Sequence, residues 1–170
     1  KYANVIIVAN SGGDFTTIGE ALDSLPTPNT APVLIKVMPG PYDEDWYSRY
    51  TEMKSNVKLQ GAGRDVTTII GCIDISEKTN ITISGFTMRT ATVNPTASPL
   101  YVTTLPDQKV TVSDNYLTGS SDSGLIMTNC SPYITVSDNI IAGNMYGLRF
   151  SACSGGTIRN NTIIGNSSSG

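Results

Sequence analysis

Residues 109–119 read KVTVSDNYLTG, residues 133–143 read YITVSDNIIAG and residues 156–165 read GTIRNNTIIG, with an earlier relative, NITISGFTMRT, at residues 80–90. Laid over one another they form columns. Leu59, Ile83, Val112, Val136 and Ile158 follow at steps of 24, 29, 24 and 22 residues, with Met88, Leu117, Ile141 and Ile163 beside them. Within each unit Val, Ile and Thr alternate in short runs broken by Gly, Asn, Asp or Ser, the pattern of brief strands rather than helices. A third strand per unit is read from Ser98-Pro99-Leu100-Tyr101-Val102, Gly124-Leu125-Ile126-Met127 and Tyr146-Gly147-Leu148-Arg149-Phe150. A unit of that length with no helix cannot bury its own inner face, so successive units must stack as parallel coils about 4.8 Å apart. Six to seven coils fit the chain.

Asn115, Asn139 and Asn161 share one column. A buried asparagine recurring at one position can bond the amide of its neighbour and the turn backbone, which predicts an asparagine ladder. Gly119, Gly143 and Gly165 follow four residues later, where a corner needs positive φ or close backbone approach. The step of 29 from Ile83 to Val112 leaves about five extra residues, placed as a protruding loop in Thr92-Val93-Asn94-Pro95-Thr96-Ala97-Ser98-Pro99.

The two ends differ. Ile18, Leu22 and Leu25 recur at helical spacing, Thr17 stands three before Glu20 as a capping box, and Pro26 stops the run. One short helix therefore covers the open edge of the first coil. The chain is read as one domain, residues 1–40 holding the N-terminal strand, helix and first coil and residues 41–170 the repeating coils. The repeat still runs at Thr157–Ile164 without a second cap, so the expectation is a C-terminal continuation or a homo-oligomer.

Composition narrows the functions. Among 170 residues there is no histidine, which removes Ser-His-Asp and Cys-His catalysis and imidazole metal sites. A net charge of −3 without a Lys/Arg run disfavours nucleic acid, and no apolar run is long enough for membrane insertion. Cys72, Cys130 and Cys153 lie too far apart for a zinc or redox motif.

The stretches GDFTTIGEAL at 13–22, IKVMPGPYDE at 35–44, NVKLQGAG at 56–63 and TTII at 67–70 resemble the opening third of pectin methylesterases, with their Gly-x-Tyr-x-Glu piece at Gly40 to Glu44. The later repeats are similar to coils of the wider pectin-lyase-like superfamily. The resemblance implies an all-β fold, a right-handed parallel β-helix with a short N-terminal capping α-helix. That family carries two catalytic aspartates, an arginine and glutamines in motifs of the kinds Gln-Asp-Thr-Leu-Tyr, Asp-Phe-Ile-Phe-Gly and Leu-Gly-Arg-Pro-Trp. None of these is found here, so no catalytic residue is carried over.

Two groups remain as candidate sites. Asp43, Glu44, Trp46, Tyr47, Arg49 and Tyr50 concentrate aromatic faces and hydrogen-bonding charges suited to a sugar ring. Asp114 and Asp138 fall on neighbouring coils, where they either cap turns or share a calcium ion, with Arg159 or Lys109 as a basic partner. Cys130 and Cys153 stack one coil apart, as buried thiols or, alternatively, a strained disulfide. No cofactor is expected beyond that calcium.

The resulting expectation is an extracellular or surface module that binds a polysaccharide or glycan, or forms a rigid stalk, without catalysis in this segment. The alternative is a polysaccharide-active enzyme, pectinesterase-like or a calcium-dependent lyase, acting on acidic glycans.

Overall fold

A computed structural model describes residues 2–44, 50–91, 98–104 and 107–169. Short parallel strands wind into three sheets around one core, a parallel β-helix. The first sheet has seven strands, Asn4–Val8, Val33–Val37, Val57–Gly61, Ile81–Ser84, Val110–Ser113, Ile134–Ser137 and Thr157–Arg159. A six-stranded sheet runs from Gly40–Asp43 through Thr67–Ile70, Thr87–Arg89, Tyr116–Thr118 and Ile140–Ala142 to Thr162–Ile164. The third sheet has five strands, Thr51–Glu52, Ile73–Ser76, Leu100–Thr103, Ser123–Thr128 and Tyr146–Ser151.

The columns of the sequence are registers in space. Ile83 pairs with Val112, Val112 with Val136 and Val136 with Ile158; Met88, Leu117, Ile141 and Ile163 follow in the six-stranded sheet. About five turns close, fewer than the six to seven expected. The reason is that the strand Asn4–Val8 precedes the first complete coil and the last coil supplies only two of its three strands.

Alternation with period two drives every second side chain inward. Ile35, Leu59, Ile83, Val112 and Val136 are fully buried in one stack, as are Ile69, Met88, Leu117 and Ile141 in another. Each such burial contributes about 1.5–3 kcal/mol, and only stacking makes it available. In the last layer Ile158 and Ile163, at the same inward positions, are exposed.

Amides line all three corners. Asn115, Asn139 and Asn161 bond one to the next at the first corner, Asn144 Nδ2 donates to Asn166 Oδ1 at the second, and Asn80 Nδ2 donates to Asn56 Oδ1 at the third. The residues just before the first ladder, Gly85, Asp114, Asp138 and Asn160, all have positive φ, at 81°, 57°, 61° and 55°. Glycine, asparagine and aspartate tolerate that conformation best, which explains their shared column.

The helix Ile18–Asp23 lies against the strands Asn4–Val8 and Thr51–Glu52 with Ile18, Ala21 and Leu22 buried. Thr17 Oγ1 accepts from Glu20 N at 3.2 Å, while the Glu20 carboxylate takes the Thr16 hydroxyl at 3.3 Å instead of closing a full capping box. Gly40, Tyr42 and Glu44 assemble this end. Tyr42 is buried with its hydroxyl donating to Met38 O at 2.8 Å, and Glu44 receives the first N–H groups of the helix.

Candidate functional site

The outward face of the five-stranded sheet gathers titratable and hydroxyl-bearing side chains beside a cleft. Register places Asp74, Tyr101, Ile126 and Arg149 in one outward column, and Ser76, Thr103, Thr128 and Ser151 in the next. Hydroxyls tie the columns together: Thr103 Oγ1 and Thr128 Oγ1 lie 2.7 Å apart, and Tyr101 Oη lies 3.2 Å from Thr128 Oγ1. Beside them opens a cleft of about 220 Å³ whose walls include Tyr50, Asp74, Ser98, Tyr101, Asp122 and Ile126.

The cleft holds two carboxylates in unlike surroundings. Asp122, in the turn entering Ser123–Thr128, forms an ion pair with Arg149 one coil on, Nη2 to Oδ1 at 2.7 Å. The Arg149 guanidinium also lies over the Tyr146 ring, 4.9 Å from its centroid, which fixes the plane it presents. Among the described residues no cation forms an ion pair with Asp74. Burial pushes its carboxyl above the ordinary value, the Glu52 charge adds to that, and the Ser76 hydroxyl, donating at 2.5 Å, and Lys78 act the other way. One carboxylate is thus ion-paired and its neighbour is a half-buried acid raised above its ordinary value, a division suited to acid–base work.

The residues singled out in the sequence are distributed differently. Tyr50 is 54% exposed and does line the cleft. Asp43 is exposed at the end of a strand in the six-stranded sheet. Glu44 is only 7% exposed, and its two oxygens accept from Ile18 N at 2.6 Å and Gly19 N at 2.9 Å. It therefore caps the helix and does not face a sugar, because turning it outward would leave two helix N–H groups without an acceptor. Trp46, Tyr47 and Arg49 lie outside the described residues.

Asp114 and Asp138 do stand on adjacent coils, but a cation of the protein's own is already there. Arg64 Nη1 lies 3.2 Å from Asp114 Oδ1 and donates to the Asp138 carbonyl at 3.2 Å. The Ser137 hydroxyl, followed by the Asn160 side chain, holds the Asp138 carboxyl below its ordinary value. Both aspartates serve a left-handed corner, and among the described residues no group of three or more His, Cys, Asp or Glu is arranged to hold a metal ion. Cys72, Cys130 and Cys153 are thiols. Burial and then the Cys153 thiol push Cys130 up to about 12, so it is not a nucleophile.

Asp74, Ser98, Asp122 and Arg149 were not among the sequence candidates. A signal exists for Asp74 and Arg149: continuing the third-strand alignment backwards from Leu100 gives Ile73, and its outward neighbours then bring Asp74, Tyr101, Ile126 and Arg149 into line. Ser98 and Pro99, read both as the end of the protruding loop and as the start of the third strand, are buried, because they lead directly into the strand Leu100–Thr103. The rest of that loop, residues 92–97, lies outside the described residues.

A parallel β-helix with a carboxylate-bearing cleft on one sheet defines a pectin-lyase-like protein. The sequence profile of pectinesterases matches residues 4–132, most of the chain, and the chain belongs to that family. A pectinesterase of Aspergillus aculeatus is 49% identical over 45 residues, 26% of this chain and 14% of that protein. Among solved structures, a pectin methylesterase in complex with a hexasaccharide superposes with a TM-score of 0.57 at 19% identity, covering 84% of this chain and 56% of that one. The carrot pectin methylesterase gives 0.58 at 14% identity, covering 84% of this chain and 53% of that one. The chain thus spans about half the length of these solved relatives. Family membership does not support the non-catalytic module or stalk; it fits the polysaccharide-active alternative.

Proposed function

We propose that this chain carries an ester-hydrolysing site for a methyl-esterified polyuronide of the pectin type, located in the cleft on the five-stranded sheet. What supports the reading is that a chain of the pectinesterase family has two carboxylates of contrasting surroundings, Asp74 and Asp122, in one cleft. Asp122, oriented by Arg149, acts on the side of attack and draws a proton from water as that water's oxygen adds to the ester carbonyl carbon. Asp74 gives its proton to the departing alcohol oxygen, so one water is consumed and one carboxylic acid and one alcohol leave. Tyr50 and Tyr101 offer flat faces to flanking sugar rings. A polymeric glycan substrate fits work outside the cell or at its surface. No helix among the described residues is long and apolar enough to cross a membrane.

The test is methanol release from methyl-esterified polygalacturonan by the purified chain. Asp122→Asn and Asp74→Asn are each expected to lower kcat about 100-fold or more with folding intact. Unchanged turnover in both variants would remove the cleft from the reaction.

A further inference from the structure

Cys130 and Cys153 each follow a left-handed corner residue, Asn129 at φ 51° and Ala152 at φ 53°. The matching step turns both side chains toward the core, where Cys130 is 3% exposed and the half-buried Cys153 is packed against the same cluster. The parallel register runs on past the strands and sets the two opposite one another. Beyond the pair Thr128 and Ser151, Asn129 N donates to Ser151 O at 2.9 Å and Ser154 N to Cys130 O at 3.1 Å. Parallel neighbours in register lie about 4.8 Å apart, inside the range of about 4.4–6.8 Å between Cα atoms that a disulfide spans. The two thiols already hydrogen-bond to each other. Cys72 is placed differently: one residue before Ile73, it stands opposite Pro99, one residue before Leu100.

We infer that Cys130 and Cys153 are a covalent modification site, a dithiol that a low-molecular-weight disulfide such as oxidised glutathione converts into a disulfide between adjacent coils. Exchange takes place while the last coil is open, because in the wound coil Cys130 is sealed from reagents and held protonated by its burial. In the open coil the thiolate of one cysteine attacks the small disulfide, whose S–S bond breaks and releases one small thiol. The thiolate of the other cysteine then attacks the mixed disulfide and expels the second small thiol. Two protein thiols are thereby oxidised, and one small disulfide is reduced to two thiols. Rewinding buries the new bond, and Cys130 shields it from reductant.

The bond falls where packing is thinnest. Tyr146–Ser151 is the edge strand of its sheet, and in the layer that follows the inward Ile158 and Ile163 are 48% and 36% exposed. Coils with fewer buried contacts open more readily than the middle of the solenoid. A crosslink between residues 130 and 153 removes many of those open conformations and so holds the last coil closed.

The test holds the purified full chain in sub-denaturing urea with a mixture of reduced and oxidised glutathione, or with excess reductant, and then removes the urea. Each product is denatured, alkylated and mapped by mass spectrometry. After glutathione, the peptides of Cys130 and Cys153 are expected to be joined, lighter by two hydrogen atoms than the separate pair, with Cys72 alkylated. The joined form should melt about 5 °C or more above the reduced form. Cys130→Ser and Cys153→Ser should each abolish that gain, and Cys72→Ser should keep it. Alkylation of all three cysteines after glutathione, or a link through Cys72, overturns the site. A joined form that melts no higher than the reduced one overturns its role in holding the last coil. Methanol release enters none of these readouts, so the disulfide and the proposed hydrolysis stand or fall separately.

Discussion

Asn115 Nδ2 donates to Asn139 Oδ1 at 3.2 Å across one coil, and the same oxygen accepts the Asn115 backbone N–H at 3.0 Å. Asn139 in turn donates to the Val112 and Ser137 carbonyls and to Asn161 Oδ1, each at 3.0 Å. A single amide thus satisfies backbone groups from two layers of a corner that no sheet ladder reaches. Asn139→Ala is expected to cost about 3 kcal/mol, since several buried donors and acceptors lose partners at once. Asn161→Ala, in the half-exposed last layer, should cost about 1 kcal/mol, because water replaces part of what is lost. Urea unfolding of both variants checks the order.

Glu44 joins the first coil to the helix that covers it, through the N–H groups of Ile18 and Gly19. Hydrogen bonds to a charged acceptor are the stronger kind, and Glu44→Ala is expected to lower stability by about 2 kcal/mol. Glu44→Gln, which keeps one acceptor oxygen, should lose less. Hydrogen exchange at Ile18 and Gly19 should accelerate in both variants, since these are the amides the carboxylate protects.

Asp74 makes stability depend on pH in a definite direction. Its carboxyl is raised in the folded protein above 3.8, chiefly by burial, so the native state holds a proton that the unfolded chain has released. The contribution is therefore fully present below the unfolded value and is lost as pH rises through the folded one. Asp74→Asn should flatten the denaturant midpoint against pH on that alkaline side. Glu44, raised in the same sense by burial, remains in both proteins, so their difference isolates Asp74.

Cys130 should resist alkylation. With its thiol pushed up to about 12 by burial and the adjacent Cys153, almost no thiolate exists near neutral pH. Mass spectrometry after iodoacetamide treatment of the folded protein is expected to find Cys130 unmodified, with labelling appearing only on denaturation.

The coils were legible in the sequence because the same inward positions recur in chain after coil: Ile83, Val112 and Val136 declare a period that only stacking can satisfy. The amide ladder at Asn115, Asn139 and Asn161 was legible for the same reason, and the helix through Thr17 and Pro26. The other two ladders were harder to see, since Asn144–Asn166 and Asn56–Asn80 each span only one step. Glu44 misled by its company: set among Trp46, Tyr47 and Arg49 it reads as a sugar contact, while its role is fixed by a helix 26 residues earlier.

Repetition, then, determined the architecture from the sequence alone, because a period in hydrophobicity is a local record of which side chains leave water together. The cleft was decided by tertiary structure. Asp74, Asp122 and Arg149 come from different coils, and although Asp74 and Arg149 share one outward column, their chemistry depends on burial and on an ion pair. Those are properties of distance and solvent access, and they exist only once the coils are wound against one another.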